Sequence, residues 1–512
     1  MRPRLVLAIV IASVLITPFR RELYVGDETK YSQVVREMRA SGHWFVPTLE
    51  GSPFTHKPPL HFWLMDALTY PFGVYQIWPY VLPSLAAFAL LLLLLFRWGG
   101  PMAAFVCGTS LLMWGSAQTA RMDVSFTALL ALAAWWTWKF FEEDDRRALL
   151  PAALMTGIAT LVKGPMAPVM FLCLVAFEAM RRRRLPRGNY LAAILILVAV
   201  PLLWFLPAIA IGGEAFWREI FYKQTVGRAV GAWVHRSPPW FYVMRAPLTL
   251  FPWFFLLVAA LVKLARRPRG TEEPGGTAGT DPRFFVMWIL SVLVPYSLIS
   301  SKLDVYMMAM LPPVALTIAR YLDGPDDAWG RRANAFLCAL LAIVGVAGAT
   351  IASRWVKEPD RALVLLPEVR RLFVLLAIAA AIGFVIALRA HVRTSTLAAG
   401  FVPLAALVYI AFALTPLANE LATTRPLVRA LAAQNVPPEQ IALHACPHLW
   451  TRAMPRALWR ARHVDGNGLR AWDPTVIVTS RKHDDAIAYA LPRYRKVGEF
   501  RMIGKWFDVY RR

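Results

Sequence analysis

The sequence predicts an all-α polytopic membrane protein that carries a small C-terminal α/β domain outside the membrane. Of the 512 residues, 58% are hydrophobic, and the mean hydropathy is +0.48. A soluble protein with so much apolar surface would aggregate, so a multi-spanning membrane protein is the class that fits. The apolar runs stop near residue 420, which separates a predicted membrane domain, residues 1–420, from residues 421–512.

Membrane spans are predicted wherever an apolar run approaches the roughly 20 residues that cross the hydrocarbon layer. About thirteen such runs occur, and they are centred on residues 4–20, 78–96, 100–118, 124–140, 149–164, 166–180, 190–211, 246–264, 284–300, 304–320, 333–353, 371–389 and 395–416. The first run has the basic flank of a signal peptide but no convincing small-residue cleavage motif, so we interpret it as an uncleaved span.

Basic residues indicate the orientation of the spans, because Lys and Arg concentrate in cytoplasmic loops. In this count most of them fall on one side, at Arg181–Arg184 with Arg187, Lys263–Arg269, Arg331–Arg332, and Arg389 with Arg393, whereas Arg370 and Arg371 fall on the opposite side. The N-terminus is then cytoplasmic. The opposite, extracytoplasmic side receives the loops 21–77 and 212–245 and the C-terminal residues 421–512.

Residues 421–512 contain 16 Lys and Arg against 7 Asp and Glu. Residues 474–479 and 506–510 have the composition of strands, and residues 484–490 are predicted as a short helix. A small α/β domain therefore follows the membrane spans.

The net charge of +24 raises the question of nucleic-acid binding. The Lys and Arg residues lie at the ends of apolar runs, which is typical of helix anchors that contact anionic membrane lipids. No aromatic-interleaved basic groove or zinc-finger spacing occurs, so we expect no nucleic-acid partner. The four cysteines form no CxxC pair, which argues against a disulfide framework and a zinc site.

An acidic pair, Asp27 and Glu28, follows the first predicted span and begins a helical pattern. One interpretation is that Asp27 is only an N-cap, since Asp is favoured there. The alternative is a catalytic role for Asp27 and Glu28, in which Asp27 orients an acceptor and acts as general base.

Three lysines lie at helix ends beside turns on the same predicted face: Lys57 in His-Lys-Pro-Pro, Lys163 in Val-Lys-Gly-Pro, and Lys302 in Ser-Ser-Lys-Leu-Asp. A lone lysine of this kind is often a side chain that snorkels to the membrane interface. Three on one face favour the binding of an anionic phosphate.

Further ionisable residues interrupt apolar sequence at Arg121 and Asp123, and such residues are either paired structurally or functional. In the loop 212–245, Arg228 is suited to bidentate contact with phosphate, and His235 is a further candidate. A pair of His56 and His235 without a third ligand is weak evidence for a metal. We therefore expect no required cofactor, with a divalent ion as the open alternative.

Together these motifs resemble the polyprenyl-phosphate-dependent glycosyltransferases of the GT-C class, in particular the lipid A aminoarabinose transferases and the wider group of protein mannosyltransferases. The resemblance covers roughly residues 1–420. It rests on the external Asp-Glu before Lys-Pro-Pro, the Lys-Gly-Pro at Lys163, the His-x-x-Pro-Pro-Trp-x-Tyr at His235, the Pro252-Trp253 pair, and the Ser-Lys-Leu-x-x-Tyr that ends at Tyr306.

The resemblance implies a GT-C fold and assigns roles to individual residues. Asp27 matches the catalytic acid and Asp123 a second acidic position, while Lys57, Arg228 and Tyr306 match residues around the carrier phosphate. The chain also departs from the pattern. His56 replaces a frequent Glu, and Lys223-Gln224 replaces a usual Glu-His, which leaves the metal, the sugar and the acceptor open.

The function that the resemblance implies is transfer of a sugar from a polyprenyl-phosphate donor, at the periplasmic face of an inner membrane. The acceptor is lipid A or another envelope glycan or protein. A protein O-glycosyltransferase of the same family is one alternative. A non-enzymatic flippase of lipid-linked sugars is another, although such transporters usually show internal repeats and charges near the bilayer midplane.

Overall fold

A computed structural model of the chain describes residues 3–23, 26–74, 76–220, 237–266, 281–355, 359–423, 425–446, 461–464, 469, 472–502 and 505–512. The α-helices among these residues are α1 Pro3–Val14, α2 Asp27–Ser41, α3 Leu60–Thr69, α4 Trp78–Gly108, α5 Leu111–Ala117, α6 Asp123–Glu142, α7 Leu149–Lys163, α8 Met166–Arg182, α9 Tyr190–Arg218, α10 Phe241–Thr249, α11 Phe254–Arg266, α12 Pro282–Leu298, α13 Leu311–Asp323, α14 Ala328–Trp355, α15 Pro359–Arg389, α16 Val392–Tyr409, α17 Thr415–Ala422 and α18 Arg425–Ala432.

The helical membrane class is confirmed, since 73% of the structure is helical. Every predicted span coincides largely with helix, although some are interrupted, and the described helices differ in length. Seven are long and apolar enough to cross a membrane, and a bent pair, Phe241–Thr249 with Phe254–Arg266, makes a possible eighth. Shorter apolar helices lie at Pro3–Phe19, Leu149–Lys163 and Pro282–Leu298.

The helix α4 is broken at Gly100, where φ is 74° and ψ is −173°. Only glycine adopts this conformation without steric cost, and Pro101 then begins the next helical segment. The break separates the predicted spans at 78–96 and 100–118.

The C-terminal residues form the predicted small sheet domain. Its strands are β3 Ile441–His444, β4 Arg462–Val464, β5 Val476–Ser480, β6 Arg495–Met502 and β7 Lys505–Arg511, in the order β4-β3-β5-β7-β6. The strand β3 pairs in parallel with β4 and β5, whereas β7 pairs antiparallel with β5 and β6. Leu427 and Leu431 of α18 pack on one face of this sheet, in a core with Val476 and Phe507.

Polar contacts join the start of this domain to the first helices. The Asn419 amide donates to the carbonyl of Arg20 (2.8 Å), and its side-chain oxygen accepts from the amide of Glu22 (3.1 Å). Arg425 also pairs with Glu22 at 2.5 Å. The predicted boundary at residue 420 lies beside these contacts and stays a prediction.

A buried charge network joins the C-terminal ends of α6 and α8 to the N-terminal end of α12. The fully buried Glu178 accepts from both Arg181 and Arg182. Arg181 also reaches Asp281 (2.6 Å), and Arg182 pairs with Glu142. Arg181 and Arg182 thus carry a structural role in addition to the one predicted from their charge.

Between α1 and α4 lie two short helices and a small hairpin. The strands β1 Thr48–Leu49 and β2 Ser52–Pro53 pair antiparallel, and α2 and α3 flank them in the chain. Arg39 of α2 donates to Asp66 of α3 (2.7 Å), and Tyr31 packs edge-on against Phe62 at 5.5 Å between ring centres. This unit presents the acidic pair and Lys57 to the membrane helices.

Candidate active site

Asp27 is the first residue of α2, and Gly26 occupies the cap position with φ 139°. The capping contacts come from Thr29, whose hydroxyl donates to the carbonyl of Gly26 (3.0 Å). Asp27 is therefore not the N-cap, and that structural interpretation is wrong. Its carboxylate instead lies 3.2 Å from the guanidinium of Arg121, and 38% of the side chain is exposed.

Asp123 is the centre of the charged cluster. It begins α6 and is 5% exposed; its Oδ2 accepts from Nε of Arg121 (3.1 Å) and its Oδ1 accepts from Nζ of Lys163 (2.6 Å). Arg121 thus bridges the two acidic residues, Asp27 and Asp123. Lys163 ends α7, where Gly164 (φ 102°) turns the chain away, so a helix end aims the ammonium group at a helix start.

Aromatic rings and a further lysine surround this cluster. The Lys163 ammonium lies 4.8 Å from the centre of the Tyr306 ring, which stacks on Tyr296 at 4.8 Å. The charge of Lys57 acts on Asp123, so the ammonium group is within electrostatic reach of that carboxylate. The structure thus brings together Asp27, Asp123, Lys57, Lys163 and Tyr306.

Two further residues complete the cluster. The sequence left Arg121 open as either a structural partner of Asp123 or a functional residue, and in the structure it contacts both Asp123 and Asp27. Tyr31 was not predicted as a site residue. Tyr31 lies one helical turn after Asp27, and this i, i+4 spacing is the signal that places both on one face. Burial, together with the carboxylates of Asp27 and Asp123, raises the pKa of the Tyr31 hydroxyl, which stays protonated and able to donate.

Glu28 is buried, and Arg21 and the backbone engage its carboxylate. Arg21 holds it in a bidentate pair, and the backbone amide of Ala120 donates to it at 2.6 Å. Arg21 also donates to the carbonyl of Gln118 (3.0 Å). These contacts fasten α2 to the loop that carries Arg121, and the catalytic role of Glu28 stays a prediction.

Lys302 does not join the cluster by its contacts. Its ammonium group donates to the backbone carbonyls of Ser237 (3.1 Å) and Ile299. Two residues further along the same turn, Asp304 forms an ion pair with Arg245 at 2.5 Å. Lys302 thus stabilises the turn that leads to Tyr306. The predicted phosphate ligands Arg228 and His235 lie outside the described residues.

Metal ligands are a separate question, which the predicted pair of His56 and His235 raised. In the ranges that the structure describes, no three His, Cys, Asp or Glu side chains converge as a metal site. The ring of His56 instead stacks on Phe54 at 5.2 Å.

Glu37 holds the hairpin that precedes Lys57. Its carboxylate accepts from the side chains of Gln33 (2.8 Å) and Thr48 (2.8 Å) and from the amides of Glu50 (2.7 Å) and Gly51 (3.2 Å). Burial opposes ionisation, but these four donors outweigh it and lower the pKa of Glu37.

Replacement Glu37→Gln is expected to destabilise the protein by about 1–3 kcal/mol, because an amide group meets two backbone donors with one oxygen. The folded pKa of Glu37 is below its unfolded value, so this stabilisation is present above the unfolded pKa and is lost as pH falls through the folded pKa. The difference in Tm between the wild type and Glu37→Gln should therefore shrink on acidification below about pH 4. A difference that is constant with pH would contradict this account.

The sequence was compared with protein-family models and with known proteins. Residues 56–205 match the family model described as dolichyl-phosphate-mannose-protein mannosyltransferase. The undecaprenyl phosphate-alpha-4-amino-4-deoxy-L-arabinose arabinosyl transferase 1 of Pseudomonas fluorescens is 28% identical over 369 residues, 67% of this chain and 62% of that protein. The corresponding transferase of Pseudomonas paraeruginosa is 29% identical over 64% of this chain and 61% of its own length.

The alignments thus span less than two thirds of these relatives. The fold match extends further: ArnT from Cupriavidus metallidurans, solved with bound undecaprenyl phosphate, superposes with a TM-score of 0.76 over 99% of this chain and 97% of ArnT, at 17% identity. The chain therefore has the fold of ArnT, and its sequence is similar to those of the aminoarabinose transferases.

Proposed function

We propose that the protein is a glycosyltransferase that moves a sugar from a polyprenyl-phosphate carrier to a lipid A-type acceptor. The observation that carries this proposal is the meeting of Asp27 and Asp123 with Arg121, Lys163 and Lys57, from four separate parts of the chain. The relatives named as undecaprenyl phosphate-aminoarabinose transferases support the choice of donor.

The charge balance of the cluster suits a monophosphate. Three cations stand against two carboxylates, which leaves one positive charge before any contribution from Arg228. Preorganised cations in a site shielded from water stabilise charge as it develops on a leaving group. We assign the carrier phosphate to Lys57, Tyr306 and Arg228, while Lys163 and Arg121 keep Asp123 ionised and in place.

The transfer step forms a bond between the acceptor oxygen and the anomeric carbon, and it breaks the bond from that carbon to the phosphate oxygen. The carrier phosphate leaves with the bonding electrons. If the acceptor is a hydroxyl, its proton passes to Asp27, which is the more exposed of the two acids. If the acceptor is a phosphate of lipid A, no proton is removed and Asp27 serves to position it.

The proposed setting is the periplasmic face of an inner membrane, with the N-terminus cytoplasmic and the C-terminal sheet domain periplasmic. The distribution of basic loops supports this orientation. The buried network of Glu178, Arg181 and Arg182 would then lie at the cytoplasmic end of the bundle, opposite the charged cluster.

A protein acceptor is the second candidate, because the family model that matches residues 56–205 is described as a protein mannosyltransferase. The two candidates share the donor and differ only in the nucleophile. Lipid A and envelope proteins from a deletion strain, compared with the parent strain by mass spectrometry, would show which one loses the sugar.

The test of enzymatic function uses purified full-length protein in proteoliposomes with radiolabelled polyprenyl-phosphate-sugar and lipid A. A transferase produces labelled lipid A and free carrier phosphate in equal amounts. A flippase would move the intact donor between leaflets without forming either product, and that result would refute the proposal.

A further inference from the structure

One buried histidine beside the charged cluster has no role in the proposed transfer. His61 is the second residue of α3, four positions after Lys57, and its exposure is 0%. Neither ring nitrogen has a hydrogen-bond partner among the described residues. Buried polar side-chain atoms are paired in the large majority of cases, and an unpaired one destabilises the fold. A histidine here therefore needs an explanation other than packing.

The position of His61 suggests what the explanation is. The carboxylate of Asp123 acts electrostatically on the imidazole, so both buried side chains lie within electrostatic reach of each other. Burial nevertheless lowers the pKa of His61 to about 4. The imidazole is thus neutral at physiological pH, with one N–H to donate and one nitrogen to accept.

We propose that His61 is a positioning residue of this site, whose neutral imidazole and the Asp123 carboxylate share an oxygen hydrogen-bond partner. That oxygen belongs either to a buried water or to a hydroxyl of the bound donor sugar. This inference rests on the proposed function. With a water as the partner, His61 fixes the orientation of Asp123; with a sugar hydroxyl, it holds the sugar against Asp123.

The alternative is that His61 only fills space between α3 and its neighbours. The two explanations predict opposite results for His61→Leu, which keeps the size of the side chain and removes its polarity. A space-filling histidine would be replaced without loss of activity and with an unchanged or higher Tm, because the unpaired polar atoms are gone.

We expect His61→Leu to keep or raise the Tm and to lower transfer by roughly 10- to 100-fold, the effect of losing one buried hydrogen bond. His61→Gln, which keeps a donor and an acceptor, should restore part of the activity. Met65→Leu is the matched control: Met65 is fully buried on the same face of α3, and its replacement should leave transfer unchanged.

The kinetic constants distinguish the two sources of the oxygen. If the partner is a sugar hydroxyl, His61→Leu raises the KM for the donor; if it is a water, kcat falls and the KM stays the same. Transfer by His61→Leu with wild-type kcat and KM would overturn the inference. If the wild type itself transferred no sugar, the proposed function would fail instead, so the two failures are separable.

Discussion

Asp27→Asn is expected to lower the rate of sugar transfer to a hydroxyl acceptor by about 10²- to 10⁴-fold, the contribution of a general base. The substitution keeps the size of the side chain and the position of α2. Asparagine still donates and accepts hydrogen bonds near Arg121, but it cannot take up the proton of the acceptor. The measurement is single-turnover transfer in proteoliposomes under saturating donor.

The control for this substitution is Glu50→Gln, which removes an exposed carboxylate from the hairpin between α2 and α3. It should transfer sugar at the wild-type rate. A smaller loss in Asp27→Asn, of less than about tenfold, would favour a phosphate acceptor, for which positioning alone is required. Wild-type transfer by Asp27→Asn would remove Asp27 from the mechanism.

The second large effect is expected from Glu28→Gln, through stability rather than chemistry. Glu28 and Arg21 are 7% and 2% exposed, and removal of one partner from a buried ion pair costs about 3–5 kcal/mol. We expect a marked drop in Tm, measured by tryptophan fluorescence in detergent. Transfer should fall as well, because the contacts of Glu28 with Arg21 and Ala120, which hold Asp27 near Arg121, are weakened.

A double substitution separates the structural role of the Arg21–Glu28 ion pair from a catalytic role for Glu28. The pair Arg21→Met with Glu28→Met leaves no unpaired charge, so it should recover much of the stability that Glu28→Gln loses. If Glu28→Gln instead kept the wild-type Tm while transfer disappeared, Glu28 would be part of the chemistry, as the acidic pair first suggested.

The sequence predicted the helical membrane bundle well, because an apolar run of about 20 residues satisfies its backbone hydrogen bonds in lipid by forming an α-helix. Within the C-terminal domain the prediction was less complete. The strands predicted at 474–479 and 506–510 correspond to 476–480 and 505–511, and they were recognised from their β-branched and aromatic residues. Arg462–Val464 and Arg495–Met502 were not predicted, and neither was Ile441–His444. All four of its residues are buried, so it lacks the alternation that marks a half-exposed strand. The predicted helix at 484–490 is a 3₁₀ helix, Arg481–Ile487.

For the site, the sequence indicated which residues are unusual but not how they pair. Lys163 and Lys302 both lie beside turns at helix ends. The ammonium group of Lys163 nevertheless pairs with Asp123, whereas that of Lys302 donates to backbone carbonyls. Similarly, adjacent residues Asp27 and Glu28 point in different directions, because successive helical residues are about 100° apart. Such differences depend on tertiary packing, which no local pattern contains.

The central claim is that cations of the cluster bind a lipid-borne monophosphate, and the affinity for undecaprenyl phosphate tests it most directly. The measurement is a titration of the purified protein in detergent, with Lys57→Met compared with the wild type. Lys139→Met is the control, since Lys139 lies in the last turn of the helix that Asp123 begins. We predict that Lys57→Met weakens binding by roughly 10- to 100-fold, the value of a charge-assisted contact, while Lys139→Met binds as the wild type does. Equal affinity in all three proteins would contradict the account.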